Sequence, residues 1–516
     1  MLLISANSAQ SGTIDPELSR QLVAAPAVRE FAVLVKLKNS ASKNVMPKSS
    51  ENETKQSRTA RIVHSLRSEA EFSQRNLRSI LAQKENSGRA RNNTPFWIFN
   101  GFAVTATADT IQELASIPDV AEVVPDRIFA LASTAAATSA APDNWNLITI
   151  EAPALWNRGF TGHGAVVSNL DTGVDISHTA LGGKWRGGSN SWFDPYNNSS
   201  VPYDQSGHGT ATMGIMVAGN TSDNLVGVAP DAQWIAAKIF DDSKPPLATL
   251  SKIHQAFQWL LDPDQNPATG DSPDVVNNSW DLDNPGLYDG EFAADIQSLK
   301  SAGINVVSVS GNVLSPQQTG TSTSPGNNPG AFPVGATDSN GLVTYFSARG
   351  PSAYDGSFYP ALTAPGAGIR STDLYNTYVS FSGTSFAAPH VAGAIALLKS
   401  AVPALSALDA ETALKNAVVT ASGPDNTYGY GKLNVAKAYA YLASPGDVNG
   451  DGKIDLIDVI MVLRTIVGQY PSNGLIDKNA NLYPLGQDGK PMGHSGSVNI
   501  QDAVLILQRA IGLITW

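Results

Sequence analysis

Over the first 130 residues, short apolar runs alternate with charged stretches whose hydrophobic positions recur at helical spacing. Glu30-Phe-Ala-Val-Leu-Val-Lys-Leu-Lys38 predicts a strand, and residues 57–85 predict one long helix with apolar Ile62, Leu66, Leu77 and Leu81. A strand over 96–104, a helix over 109–117 and a strand over 120–125 follow, which makes a small α+β unit. Residues 130–141, rich in Ala, Ser and Thr, have no periodicity and predict an exposed, flexible linker open to proteolytic nicking. From about 144 to 443, β runs at 166–170, 234–239, 275–277 and 304–309 alternate with helices. One helix spans 249–261, with Leu250, Ile253, Phe257 and Leu260 on one face, and another spans 292–302. Such alternation predicts an α/β unit, a mainly parallel sheet with helices on both faces and functional groups at the strands' carboxyl ends. Beyond 444 the pattern of 458–468 recurs in 502–512, an offset of 44 residues.

These patterns divide the chain into a leader or flexible N-terminus (1–29), the small α+β unit (30–126), a linker (127–143), the main α/β unit (144–443) and a small all-α tail (444–516). The length of 516 residues fits about three folded units. No stretch approaches the ~20 uninterrupted apolar residues of a membrane helix. Cysteine is absent, which removes disulfides, thiolate catalysis and Cys-based zinc sites from consideration. Residues 1–130 hold 16 Lys and Arg against 13 Asp and Glu, and the remainder 18 against 32. An acidic main body without a basic stripe argues against nucleic acid as a partner. The opposite signs suit a basic N-terminal module docked on an acidic one. The small residues of Met1-Leu-Leu-Ile-Ser-Ala-Asn-Ser-Ala-Gln10 resemble the tail of a truncated signal peptide, which implies a secreted or cell-surface protein; an ordinary terminus reads the same way.

Three motifs place reactive side chains beside strand ends or helix starts. Asp171 closes a β run in Ser168-Asn-Leu-Asp-Thr-Gly-Val-Asp175; alone Asp-Thr-Gly is weak, and the second such motif of an aspartic protease is missing. His208 lies between glycines in Asp204-Gln-Ser-Gly-His-Gly-Thr210, where a lone histidine is usually structural. Ser385 begins a buried helix in Gly383-Thr-Ser-Phe-Ala-Ala-Pro-His-Val-Ala-Gly393, where it could simply cap the helix, and Pro389 is expected in the first turn, whose N–H groups lack helical acceptors. Together they supply a nucleophile, a base to deprotonate it and a carboxylate to orient that base. Their order, Asp then His then Ser, is that of the subtilisin type. The chain resembles the subtilisin-like (S8) serine peptidases. That resemblance implies a catalytic triad of Asp171, His208 and Ser385, no cofactor for catalysis, and protein or peptide substrates.

The resemblance extends further. Ile304-Asn-Val-Val-Ser-Val-Ser-Gly-Asn312 looks like the family's oxyanion-hole segment, with Asn312 and the Ser385 N–H as donors. The 99–126 stretch, from Phe99-Asn-Gly-Phe-Ala to Val124-Pro-Asp126, resembles an inhibitor-type propeptide, which implies a self-inhibited proenzyme. Lys184-Trp-Arg-Gly187, Trp192-Phe-Asp194 and Pro273-Asp-Val-Val-Asn-Asn-Ser-Trp280 look like the bacillopeptidase F-like branch. Ser279, Trp280, Asp281, Ser310 and Gly311 are then implied as the substrate cleft, with Trp280-Asp-Leu-Asp-Asn284 standing where glycines usually follow. Asp281 and Asp283 at the cleft rim would favour basic substrate residues.

Residues 447–458, Asp-Val-Asn-Gly-Asp-Gly-Lys-Ile-Asp-Leu-Ile-Asp, space oxygen ligands as a calcium loop does: Asp447, Asn449, Asp451, the Lys453 carbonyl, Asp455 and Asp458. Asp at the last position, a single following helix over 459–467 and the repeat resemble a dockerin module. A second, interrupted loop would use Asp477, Asn479, Asn481, Asn499 and Asp502. The resemblance implies bound Ca²⁺ and a cohesin-like docking partner; a structural calcium clip or plain polar turns fit the same residues. A catalytically silent docking protein with a protease-shaped body is the competing function.

Overall fold

The computed structural model describes residues 12–516 apart from 27, 39–52, 133–134, 137–143, 220–225, 314–317, 404, 418–422, 443–444, 449–452, 470–478, 488 and 494–496. The main unit is built on a seven-stranded sheet, every neighbouring pair parallel. Its strand order is Leu362–Pro365, Ala331–Thr337, Asn305–Val309, Val275–Asn278, Val166–Asp171, Gln233–Lys238, Trp192–Phe193. The central strands are almost wholly buried, including their polar residues Ser168, Asn169, Asn277, Asn278, Asn305 and Ser308, so they show no alternation of buried and exposed positions. Helices His208–Val217 and Thr384–Ala401 cover one face; both are apolar nearly all round because they lie inside the core. Helices Leu250–Leu261 and Ala293–Ser301 cover the other, the first presenting Leu250, Ile253, Phe257 and Leu260 inward.

The N-terminal unit is a five-stranded sheet in the order Thr13–Ile14, Val120–Pro125, Glu30–Leu37, Gly101–Thr107, Ala90–Phe96. Three expectations are corrected here. The long helix over 57–85 is two helices, Lys55–Ser73 and Arg75–Asn86, meeting at Gln74, whose buried amide donates to the Phe96 carbonyl at 2.7 Å. The single strand over 96–104 is a hairpin, Ala90–Phe96 and Gly101–Thr107, turned at Asn100 with positive φ. Thr13–Ile14 and the helix Pro16–Ala24, read as leader, belong to this unit: Thr13–Ile14 pairs with the 120–125 strand, and Asp15 caps the helix through the Glu17 and Leu18 N–H groups.

This unit docks on the helices Leu250–Leu261 and Ala293–Ser301. Leu34, Ile62, Phe96, Ile98 and Phe99 share one hydrophobic cluster with Ile253, Phe257, Phe292 and Leu299. Gln258 accepts from the N–H groups of Trp97 at 2.8 Å and Ile98 at 3.3 Å, and Asp126 accepts from the Ser251 N–H at 2.9 Å. The charge asymmetry becomes contact: Lys36 meets Glu291 at 2.9 Å, Lys55 meets Asp274 at 3.0 Å, Arg67 meets Asp262 at 2.5 Å, and Arg127 meets Asp289 at 2.5 Å. The expected linker also carries pairing. Ile128–Ala130 lies antiparallel to Leu247–Thr249, and Ala135–Ala136 lies antiparallel to Phe381 and Ser382 of the strand Thr377–Ser382.

In the tail, helices Leu456–Ile466 and Ile500–Ala510 pack around Val459, Val462, Leu482, Val498 and Ile506. Their starts are alike: Asp455 with Asp458, and Asn499 with Asp502, each form a capping box.

Candidate active site

The strand Val166–Asp171 lies where the sheet's connections diverge, toward 192–238 on one side and 275–365 on the other, so its carboxyl end is the switch point at which α/β sheets gather function. Asp171 ends it, 1% exposed, with Oδ1 accepting from the Thr172 N–H at 2.8 Å. His208 opens its helix with Nδ1 2.7 Å from Asp171 Oδ1. Thr212 donates to the other carboxylate oxygen at 3.3 Å. Gly209 permits the approach, since a Cβ there would stand 2.1 Å from the Gly173 carbonyl oxygen. With Nδ1 turned to an acceptor, Nε2 is the nitrogen left to take a proton; it is buried and has no hydrogen-bond partner among the described residues. Burial opposes charge on this imidazole, but the Asp171 charge and hydrogen bond outweigh it, and the His208 pKa is raised above the ordinary value.

Ser385, 7% exposed, lies in the first turn of Thr384–Ala401. Its Oγ donates to the Ser279 carbonyl at 3.2 Å, and Ser279 Oγ donates back to the Ser385 carbonyl at 2.8 Å. Pro389 explains the second bond. It lies beyond the first turn, contrary to expectation, and its missing N–H releases the carbonyl four residues back, that of Ser385, to accept from Ser279. The structure thus joins His208 to Asp171 and Ser385 to Ser279, with the ring of Phe386 5.6 Å from the His208 imidazole. Asn312 accepts through Oδ1 from the Thr384 N–H and hydroxyl, both at 3.0 Å, so its Nδ2 is a donor near Gly383 at the same helix start. His390, five residues beyond Ser385, is different: burial lowers its pKa to about 4, and it is locked between Phe386 and Asn146.

Of the other expected cleft residues, Ser279 and Ser310 have wholly buried side chains, so any contact they make with substrate is through backbone. The Ser310 carbonyl accepts from Tyr359 at 2.8 Å and Thr323 at 3.0 Å, and Gly311, at φ 106°, leaves room for Thr323. Trp280 is buried with its ring 5.9 Å from Phe129 of the 128–130 strand, which also meets Phe240 edge-on at 5.8 Å. Asp281 is half-buried; burial and the neighbouring Asp283 charge push its pKa up to about 6 against backbone donors from Asp283 and Asn312. The sequence reading missed the Leu247–Thr249 strand, Phe129, Phe240 and Gln258; the short β-prone run just before a helix was the available signal.

In the tail, Asn449, Asp451 and Asp477 lie outside the described residues. Asp458 accepts from the Val448 N–H at 2.7 Å and the Asp455 N–H at 2.8 Å. Asp502 accepts from Leu482 and Tyr483 at 2.8 Å and from Asn499 at 2.9 Å. Asn479 donates to the Asp447 carbonyl at 2.9 Å, which ties the start of the first loop to the second. Asp447, Lys453, Asp455, Asn481 and Asn499 lie around the same helix starts.

A parallel α/β sheet with a buried Asp–His pair at its switch point and a helix-borne serine beside it defines a serine peptidase of the subtilisin type. Residues 162–431 match the subtilase family and residues 32–132 the peptidase inhibitor I9 family, and the chain belongs to the subtilase family. It is similar to Bacillopeptidase F of Bacillus subtilis (strain 168), 34% identical over 418 residues, which is 75% of this chain but only 29% of that protein's length. It is 35% identical to Subtilisin Savinase of Lederbergia lenta over 294 residues, 57% of this chain and 97% of that protein. Subtilisin E of Bacillus subtilis (strain 168) is 33% identical over 346 residues, 66% of this chain and 81% of that protein.

Proposed function

We propose that this chain is a secreted serine endopeptidase made as a self-inhibited proenzyme. Asp171, His208 and Ser385 form its triad, and Asn312 Nδ2 with the Ser385 N–H forms its oxyanion hole. The observation that carries the reading is the buried His208, held through Nδ1 by Asp171, with Nε2 unclaimed by any described residue beside the helix of Ser385. A change in Ser385 rotamer would exchange the Ser279 carbonyl for Nε2 as its partner. Nε2 then takes the hydroxyl proton as Oγ adds to the substrate carbonyl, the oxyanion faces Asn312, and the proton passes to the leaving amine; water repeats the sequence on the acyl-enzyme.

The pairing of 128–130 with Leu247–Thr249 and of 135–136 with Thr377–Ser382 supports a propeptide whose own tail runs along the cleft. The bond cut in maturation then lies between Leu131 and Ala135. A Ser385→Ala precursor, free of other proteases, should stay full-length; appearance of the shortened form would show that another enzyme cuts it.

The tail is read as a dockerin-like module that binds Ca²⁺ through Asp447, Asn449, Asp451, the Lys453 carbonyl, Asp455 and Asp458, and through the second loop's Asp477, Asn479, Asn481, Asn499 and Asp502. Its donors are all oxygens, which suit this hard ion. A docking role, to a cohesin-like partner, is favoured by exposed Leu456, Ile460, Leu463 and Val467, which repeat at helical spacing on the outer side of the first tail helix and its end.

A further inference from the structure

Self-cleavage restricts what the cleft must accept. Leu131 is packed into the hydrophobic cluster of Phe240 and Phe257, and its N–H donates to the Pro246 carbonyl. Of the bonds between Leu131 and Ala135, those left for cutting follow Ala132, Ser133 or Thr134. Every residue from Ala132 to Ala141 is Ala, Ser or Thr, and no Lys or Arg stands between Arg127 and Arg158. A chain that matures itself here cuts after a small, uncharged residue.

The cleft is built to match. The strands Val275–Asn278 and Asn305–Val309 pair as far as Asn278 and Ser308, and three residues further along each come Asp281 and Gly311. Ser385 Oγ lies on the first continuation, 3.2 Å from the Ser279 carbonyl, and Asn312 belongs to the second. A substrate carbonyl held between Ser385 and Asn312 turns its own side chain into the gap between the two continuations. Asp281 crosses that gap: its carboxylate accepts from the Asp283 N–H at 2.8 Å and from the backbone N–H of Asn312. On the other side Thr323 fills the space at Gly311, where a Cβ would stand 2.5 Å from its Oγ1. Thr323 and the buried Tyr359 hydroxyl both donate to the Ser310 carbonyl, at 3.0 and 2.8 Å.

We infer, on the peptidase reading above, that Asp281 is a specificity-determining residue: it narrows the gap beside Asn312 so that the substrate residue ahead of the scissile bond is Ala, Ser or Thr. A large apolar side chain would strip water from the carboxylate without offering it a hydrogen bond, which is unfavourable. A Ser or Thr hydroxyl can donate to it, and an Ala methyl displaces nothing. A Lys or Arg, which charge alone would favour, meets a carboxylate already answered by two backbone N–H groups.

Matured wild-type enzyme is given a peptide library varied at the residue ahead of the cut, and the products are mapped by mass spectrometry. For Ala, Ser or Thr, kcat/KM should exceed that for Leu or Phe by roughly 10–200-fold, the discrimination that pocket size supplies. Asp281→Gly should raise the ratio of Leu or Phe to Ala cleavage by about tenfold or more, and Asp281→Asn, which keeps the side chain's size, should keep the preference for small residues. A wild-type preference for Leu, Phe, Lys or Arg overturns the proposal, whether or not Asp281→Gly folds, and so does an Asp281→Gly profile equal to that of wild type. Phosphonate labelling of Ser385 separates two failures. A labelled enzyme with the wrong preference refutes the role of Asp281 alone, whereas an enzyme neither labelled nor active refutes the peptidase reading with it.

Discussion

At the scale of single residues, the Asp171–His208 pair and the place of Ser385 at a helix start were legible because each motif fixes its own backbone: a strand end, a glycine turn, a helix start. What could not be read is that Ser385 rests on Ser279, a partner 106 positions away, through a carbonyl that Pro389 releases. Asn312→Ala should lower kcat by roughly 10²–10³, as loss of an oxyanion donor does, with KM nearly unchanged. Steady-state kinetics of the matured variant checks it, and a loss confined to KM contradicts it. Since His208 must be neutral to accept a proton, its raised pKa predicts that kcat/KM climbs with pH along a limb displaced to the alkaline side of an ordinary histidine. His254 gives a second pH dependence. It is buried beneath Phe99 and Phe292 between Asp295 at 2.9 Å and Glu291 at 3.2 Å; burial opposes its charge, but the two carboxylates raise its pKa to about 9. A histidine whose folded pKa exceeds its unfolded value of ~6.5 stabilises fully below that pH and loses the contribution as pH rises through the folded value. The Tm of the Ser385→Ala precursor should therefore fall between about pH 6.5 and 9, and His254→Gln should flatten that fall.

At the scale of elements, four strands of the main sheet, Val166–Asp171, Gln233–Lys238, Val275–Asn278 and Asn305–Val309, fell within a residue of their expected places, each marked by a run of β-branched or apolar residues, whereas Trp192–Phe193, Ala331–Thr337 and Leu362–Pro365 were not expected. The small unit was harder. Its two consecutive helices share one charged, weakly amphipathic pattern, and only the tertiary environment of Gln74 shows where one ends. The 97–100 turn carried an Asn-Gly signal, yet the apolar residues around it suggested a continuous strand. Ile128–Ala130 looked like linker because so short an edge strand exists only through its pairing with Leu247–Thr249. That pairing predicts that Phe129→Ala, which empties the space between Phe240 and Trp280, weakens self-inhibition about tenfold, given ~1.5–3 kcal/mol for fully burying such a side chain and the half-burial seen here. Faster onset of activity in the Phe129→Ala precursor than in wild type is the readout; an unchanged lag contradicts it.

At the scale of the whole molecule, opposite charges of the N-terminal and main units were visible in composition alone, and the structure turns them into four cross-unit ion pairs involving Lys36, Lys55, Arg67 and Arg127. Raising salt from 0.05 to about 1 M shortens the screening length to ~3 Å, so the lag before activity should shorten with it. Composition cannot show where those charges meet, since the pairs join residues more than 150 positions apart in sequence. The account rests most heavily on a precursor that cuts itself with Ser385. Purified wild type and Ser385→Ala are incubated alone, treated with a serine-directed phosphonate, and their N-termini and labelled peptides mapped by mass spectrometry. The account predicts that wild type gains a new N-terminus between residues 132 and 135 and a label on Ser385, while Ser385→Ala keeps its full length and takes none. A shortened Ser385→Ala chain, or a wild type that is cut but labelled on a different serine, would contradict it.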